Sequence, residues 1–224
     1  PTAAGSLRAM PAGGMVPRIG APGSWRSLFI QTEGTPNPAS LKFLPGDVTV
    51  LSEEEGSGIN FSSAMKAHRS PLAKKLFLIE GVTTIFFGRD FISVNIDEDV
   101  TQWDLVKPQV FAELMDHFAS GKPALLPDGE YRTDTEIQED DDEVVQMIKE
   151  LLETRIRPSV QEDGGDILFI GFDIVTGIVK LQLAGSCVGC PSSSATLYSG
   201  VRNMLMHYVP EVQGIEQVHE DEDA

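Results

Sequence analysis

The sequence predicts an α+β protein of two small domains, the second a three-stranded sheet with two helices in the order helix-strand-strand-helix-strand. Three observations carry this expectation. Between residues 29 and 126, short β-rich runs and helical stripes surround a hairpin signal at Gly88-Arg89-Asp90. Residues 127–142 then shift toward Gly, Thr and carboxylates and end in Glu139-Asp140-Asp141-Asp142, the composition of a solvated acidic linker. Beyond them apolar residues return, first at helical and then at alternating spacing. At 224 residues the chain has room for a core in each domain.

In the first domain, 29–126, the turn signal Thr35-Pro36-Asn37-Pro38 divides the apolar runs, and Pro45-Gly46 precedes a strand-like segment at 48–51. Ser70 followed by Pro71 reads as an N-cap with proline at the first helical position. Leu72, Leu76 and Ile79 share one face of that helix, and Gly81 closes it. Residues 84–87 and 91–96 form the hairpin. A longer helix follows, with Phe111, Leu114, Met115 and Phe118 as its apolar stripe and Gly121 as terminator.

The second domain spans 143–218. Val144, Ile148, Leu151, Leu152 and Ile156 recur at helical spacing, and Pro158 is expected to limit the helix. Gly164-Gly165 turns the chain into a strand at 167–172, and Thr176-Gly177 turns it into a second one. There Val179, Leu181 and Leu183 face one side while Lys180 and Gln182 face the other. Residues 185–191 are a loop, after which Ser192 or Ser193 can cap a helix with the stripe Leu197, Val201, Met204, Leu205 and Tyr208. Pro210 stops that helix, a weak strand spans about 214–218, and 219–224 form an acidic tail.

Charge and hydropathy exclude some classes. No apolar run approaches the ~20 residues that cross a bilayer as a helix, so no membrane span is expected. The net charge of −17 argues against nucleic acid, which demands clustered Lys and Arg. The first 32 residues contain no Asp or Glu, and Arg8, Arg18 and Arg26 are spaced among Ala, Gly, Ser and Pro. This is the composition of an organelle transit peptide, so residues 1–28 are read as a mitochondrial leader remnant and the matrix as the destination.

Two cysteines, Cys187 and Cys190, sit in Gly185-Ser186-Cys187-Val188-Gly189-Cys190-Pro191. Two thiols three positions apart on a loop can address one centre, and Gly189 permits backbone angles closed to other residues. A helix starting after Pro191 would turn its positive end toward the loop and favour thiolate, a soft ligand for Fe–S clusters, Zn²⁺ or Cu(I). Three readings of the pair compete. A thiol–disulfide oxidoreductase would use the same two residues, but only 34 residues follow Cys190, too few for the remaining strands of a thioredoxin-like fold, and no Trp precedes the pair. A structural zinc site wants four protein ligands, and His68, His117, His207 and His219 lack ligand-like spacing to the cysteines. A cluster shared between two chains takes two thiolates from each, giving the four that Fe–S centres usually need. Spacing alone does not choose iron over zinc.

Residues 152–218, with Arg157-Pro158, Asp163-Gly164-Gly165-Asp166 and the cysteine loop continuing into Ser192-Ser193, closely resemble the C-terminal domain of the NifU family. Residues 29–45, with Thr35-Pro36-Asn37-Pro38 and Leu41-Lys42-Phe43, look like the N-terminal domain of mitochondrial NFU scaffold proteins. The resemblance implies a carrier of a [4Fe-4S] cluster, held between two chains by Cys187 and Cys190 as its metal ligands. It further implies delivery to mitochondrial apo-proteins such as lipoate synthase and respiratory-complex subunits, alongside other cluster-assembly factors, and a homodimer when cluster-bound.

The remaining features read plainly. Asp163-Gly164-Gly165-Asp166 is taken as a turn with caps, in preference to a cation site or a brace for the cluster loop. Met204 and Met206 are assigned to core packing. No Ser-His-Asp order, phosphate-cradling loop or catalytic carboxylate pair stands out, so no enzyme is expected. The first domain is expected to supply partner contacts or regulation, and its deletion to leave cluster binding intact.

Overall fold

The computed structural model describes residues 29–52, 55–126, 134–190 and 194–218. The leader, the acidic tail with His219, and Ser192 and Ser193 as the expected helix cap lie outside them. Two sheets, each with its own helices, make up a mixed α+β fold.

The first sheet is antiparallel, in the order β1 (Gln31–Gly34), β2 (Ser40–Leu44), β5 (Ile92–Ile96), β4 (Val82–Gly88), β3 (Gly58–Phe61). The Thr35–Asn37 turn that joins β1 to β2 is pinned by the Thr35 hydroxyl donating to the Asn37 carbonyl (2.8 Å), and by the Asn37 side-chain oxygen accepting from the Ala39 N–H (3.1 Å). Residues 48–51 are not a strand. Val50 and Leu51 are buried there, their N–H groups reaching the Arg89 carbonyl, and the edge of the sheet is β3 instead.

Helix α1 (Pro71–Leu76) starts as expected, with the Ser70 hydroxyl accepting from the Ala73 N–H. Helix α2 (Trp103–Ala119) buries Val106, Val110, Leu114 and His117, while Met115 is half exposed. Phe111 and Phe118 pack against the same core as Leu114, so Met115 alone of the expected stripe turns outward. The helix begins at Trp103, and spacings of four and three from Val106 define the face that reaches the sheet.

Strand alternation divides this sheet between two faces. Phe43, Ile92 and Phe87 are cross-strand neighbours and pack into one core with Leu72, Leu76, Val110 and Leu114. Lys42, Ser93 and Phe86 are the neighbours one step along, and Ser40 opposes Asn95 in the same phase. That second face is covered by the second domain, and Phe86 and Phe91 pack with Ala184 across the boundary.

The second domain opens with α3 (Glu143–Leu151), capped by the Asp142 carboxylate accepting from the Val144 N–H. Pro158 does not end the helical run. A wide π turn, Leu152–Ile156, leads into α4 (Arg157–Glu162), where proline occupies a first-turn position that asks nothing of its missing N–H. Strands β6 (Gly165–Asp173) and β7 (Ile178–Gly185) are antiparallel. After α5 (Ser194–Tyr208), β8 (Gly214–Gln217) returns parallel to β7, in the order β6-β7-β8. Val179, Leu181 and Leu183 join Ile148, Leu152, Val201 and Leu205 in the core, as alternation predicts. Tyr208 is half exposed and Met206 partly so; Met206 is not core.

The acidic segment is not wholly solvated. Asp134 and Glu153 carboxylates and the Thr135 hydroxyl all accept from the Arg157 guanidinium, which is buried. Arg157 also reaches the Ser57 hydroxyl in the first domain and the Ile167 carbonyl (each 3.1 Å). Lys149 binds the Asp141 carboxylate (2.6 Å) and the Glu136 carbonyl (2.9 Å). A buried guanidinium needs this many acceptors, and the segment between the domains supplies two of them, Asp134 and Thr135.

Candidate functional site

Both cysteines lie between the end of β7 and the start of α5, with no disulfide joining them, 5% (Cys187) and 2% (Cys190) exposed. The loop winds tightly: the Cys187 N–H reaches the Ala184 carbonyl (3.3 Å) and the Val188 N–H reaches that of Gly185 (3.2 Å). Gly189 has φ +72°, the left-handed conformation its place in the motif anticipates. Cys187 packs within the second domain's core. Its Sγ lies so close to Gly165 that a Cβ there would sit 2.3 Å from the sulfur.

The Asp163–Asp166 turn has a larger role than capping. Gly164 takes φ +78°, and the carbonyls of Asp163 and Gly164 accept from the hydroxyl (2.7 Å) and N–H (3.2 Å) of Ser186. The turn thus braces the residue just before Cys187. Asp166 is fully buried, 3.4 Å from Arg157, and burial pushes its carboxyl up to about 6 against the pull of that guanidinium.

The charge environment of Cys187 runs opposite to the thiolate-favouring one expected. Burial, reinforced by the negative charge of Asp166, pushes its thiol up to about 12. Thr196 and Leu197, in the first turns of α5, border the same cavity as Cys187. That cavity, about 460 Å³, also reaches Arg155, Ser159, Asp163 and, from the first domain, Pro36.

The first domain also touches the loop directly, which sequence reasoning missed. The Asn37 amide donates to the carbonyls of Ser186 (3.0 Å) and Val188 (2.9 Å), one on each side of Cys187. Asn95 donates to the Gly185 carbonyl (2.8 Å) and Ser93 to the Gly164 carbonyl (2.6 Å). Lys42 Nζ reaches the carbonyls of Gln161 (3.2 Å) and Glu162 (3.1 Å) at the end of α4. One signal was available: Ser93 and Asn95 alternate with Ile92, Val94 and Ile96 on a strand central to the sheet.

No further ligands converge on the pair. Among the described residues no group of three or more His, Cys, Asp or Glu is placed to hold a metal ion. His207 lies against the Tyr208 ring, His117 is buried beside Phe118, and His68 is within 3.4 Å of the Met65 carbonyl oxygen. Among the described residues no helix is long and apolar enough to cross a membrane.

Residues 30–121 match the family model "Scaffold protein Nfu/NifU N terminal", and residues 148–216 match "NifU-like domain". The chain is 58% identical over 198 residues to "NFU1 iron-sulfur cluster scaffold homolog, mitochondrial" of Drosophila sechellia, covering 88% of this chain and 68% of that protein. It belongs to the NFU family of iron–sulfur cluster scaffold proteins. The protein of the same name from Drosophila virilis is 58% identical over 200 residues, covering 89% of this chain and 65% of the relative. A solved NifU-like protein from Saccharomyces cerevisiae covers 48% of this chain and 92% of its own, at 29% identity and TM-score 0.43. Like the NFU relatives it matches, this chain is mitochondrial and is not an enzyme.

Proposed function

We propose that this chain is a scaffold that carries a [4Fe-4S] cluster between two copies of itself, bound by Cys187 and Cys190 of each, and delivers it to mitochondrial apo-proteins. The observation that carries the reading is a site with half the usual ligands. Two thiols share one loop, and among the described residues no group of three or more His, Cys, Asp or Glu is placed to hold a metal ion. Fe–S clusters usually take four thiolates, and a two-fold pair of chains supplies four. A cluster with two bonds to each chain leaves readily, which suits a donor. Lipoate synthase and respiratory-complex subunits are the recipients the family resemblance implies. The alternative reading is a thiol–disulfide oxidoreductase that uses the same two residues.

Anaerobic reconstitution with iron and sulfide tests the proposal. The expected product is a dimer with about two irons per chain and broad visible absorption, dissociating on chelation. Cys187→Ser or Cys190→Ser should abolish it. A colourless monomer that reduces disulfides would refute it, as would stoichiometric zinc in protein taken directly from cells.

A further inference from the structure

The first domain closes on the cysteine loop through side chains that all address backbone carbonyls. Asn37 and Asn95 hold the carbonyls of Gly185, Ser186 and Val188, so nearly every peptide unit around Cys187 is tied to the first domain. Ser93 holds the Gly164 carbonyl, which itself accepts from the Ser186 N–H. The backbones approach closely because Gly164 and Gly185 carry no Cβ. One added at Gly164 would lie 2.8 Å from the Ser93 hydroxyl oxygen, and one at Gly185 would lie 3.2 Å from Phe86 Cβ. In this arrangement the Cys187 sulfur faces Gly165 and the second domain's core, and neither cysteine is more than 5% exposed. A thiolate that shares a centre with another chain must be reachable from outside its own chain. The cavity that Cys187 borders is walled in part by Pro36 of the first domain, so the docked loop stands against a cluster shared with another chain.

Resting on the scaffold reading above, we propose that the first domain is a latch on the cysteine loop: Asn37, Ser93 and Asn95 hold it with the thiols turned inward, and seating a cluster requires that domain to let go. The contact is suited to release. It is built mainly of hydrogen bonds around a small apolar patch of Phe86, Phe91 and Ala184, the character of an interface that opens and closes. A cluster that binds only the released loop shifts the equilibrium toward the undocked form. By reciprocity, weakening the latch favours cluster binding by the same factor. The first domain then gates the site, so its removal would alter cluster loading.

The test uses the full chain and two reporters: alkylation of Cys187 and Cys190, and amine labelling of Lys42, which is 8% exposed and lies in the same contact. In metal-free protein both should be slow. The double variant Ser93→Ala with Asn95→Ala should alkylate roughly tenfold faster and label Lys42 faster by a similar factor, for two hydrogen bonds lost. Thermal unfolding of the variant identifies any loss of the fold itself, and Asn37→Ala is the independent second variant. In wild type, cluster loading should expose Lys42. The latch is overturned if folded variants leave both reporters unchanged, or if the loaded protein keeps Lys42 protected. It is also overturned if the variants load less cluster than wild type, which would make the contacts supports of the loaded loop. A chain that takes up no cluster at all sinks the scaffold reading, while the two reporters on metal-free variants still decide whether the loop is latched.

Discussion

The two faces of the first sheet are buried on different terms. On one, Phe43, Phe87, Ile92 and Val94 meet α1 and α2 in a continuous apolar core. On the other, one residue out of phase, Lys42, Ser93 and Asn95 meet the second domain through hydrogen bonds to its backbone. The apolar face gains free energy from every square ångström removed from water, and nothing in it is readily reversed. The polar face exchanges water hydrogen bonds for protein ones, so its net gain is small and its geometry specific. One strand, β5, serves both: its even residues hold a fold together and its odd residues hold a neighbour in place.

Four substitutions or conditions break or sharpen that comparison. Phe87→Ala, on the apolar face, should cost about 4 kcal/mol and unfold the first domain in urea before the second. Arg157→Ala should cost about 3 kcal/mol by leaving Asp166 buried without its cation and stripping Asp134 and Glu153 of their partner. Because Arg157 reaches both Ser57 and the second domain, the loss should merge with undocking in a scan that follows each domain separately.

The third prediction concerns pH. The Cys187 thiol is raised in the folded chain from an ordinary value near 9 to about 12, so folding retains its proton more tightly than the unfolded chain does. Stability from this group is full below pH 9 and falls as pH rises toward 12, by about 1.4 kcal/mol per unit. Cys187→Ser removes the titration, so the gap between wild type and variant in metal-free protein should narrow from pH 8 to pH 10.5 in denaturant melts. The smallest effect belongs to the polar face: Ser93→Ala should cost about 1 kcal/mol or less and leave each domain's own unfolding unchanged.

Much of each domain was legible in local signals. The Ser70 cap, the Gly88-Arg89-Asp90 hairpin, the alternation along β7 and the loop position of Cys187 and Cys190 all depend on neighbours within a few residues. What escaped was set by distance in sequence. Asn37 read as part of a turn, and it is that; its bonds to Ser186 and Val188 span about 150 residues, which periodicity does not record. Ser93 and Asn95 fell within a hairpin strand, and nothing local marks them as facing another domain, since polar alternation usually means water on one side. Asp134 and Thr135 looked solvated for the same reason: their acceptor role depends on a guanidinium some twenty residues away. The outward-facing Met115 of α2 is a smaller miss: it lies about 100° around the helix from buried Leu114, at the margin of the stripe.

The π turn at Leu152–Ile156 acts as a phase corrector. Val144, Ile148, Leu152, Ile156 and Val160 are spaced strictly by fours, and all pack toward the second core. In an uninterrupted α-helix each step of four overshoots a full turn by about 40°, so Val160 would end about 160° around the cylinder from Val144. One extra residue taken up in the wide turn gives back about 100° of that, and the five side chains stay on a single side. Winding all of these residues into a regular α-helix would swing α3 out of step with α4 and lift either Ile148 or Val160 from the core, whereas deleting exposed Thr154 would remove the extra residue and keep both on one side. The irregularity is therefore what lets a period of four describe one straight seam, from the acidic segment down to the turn that braces the cysteines.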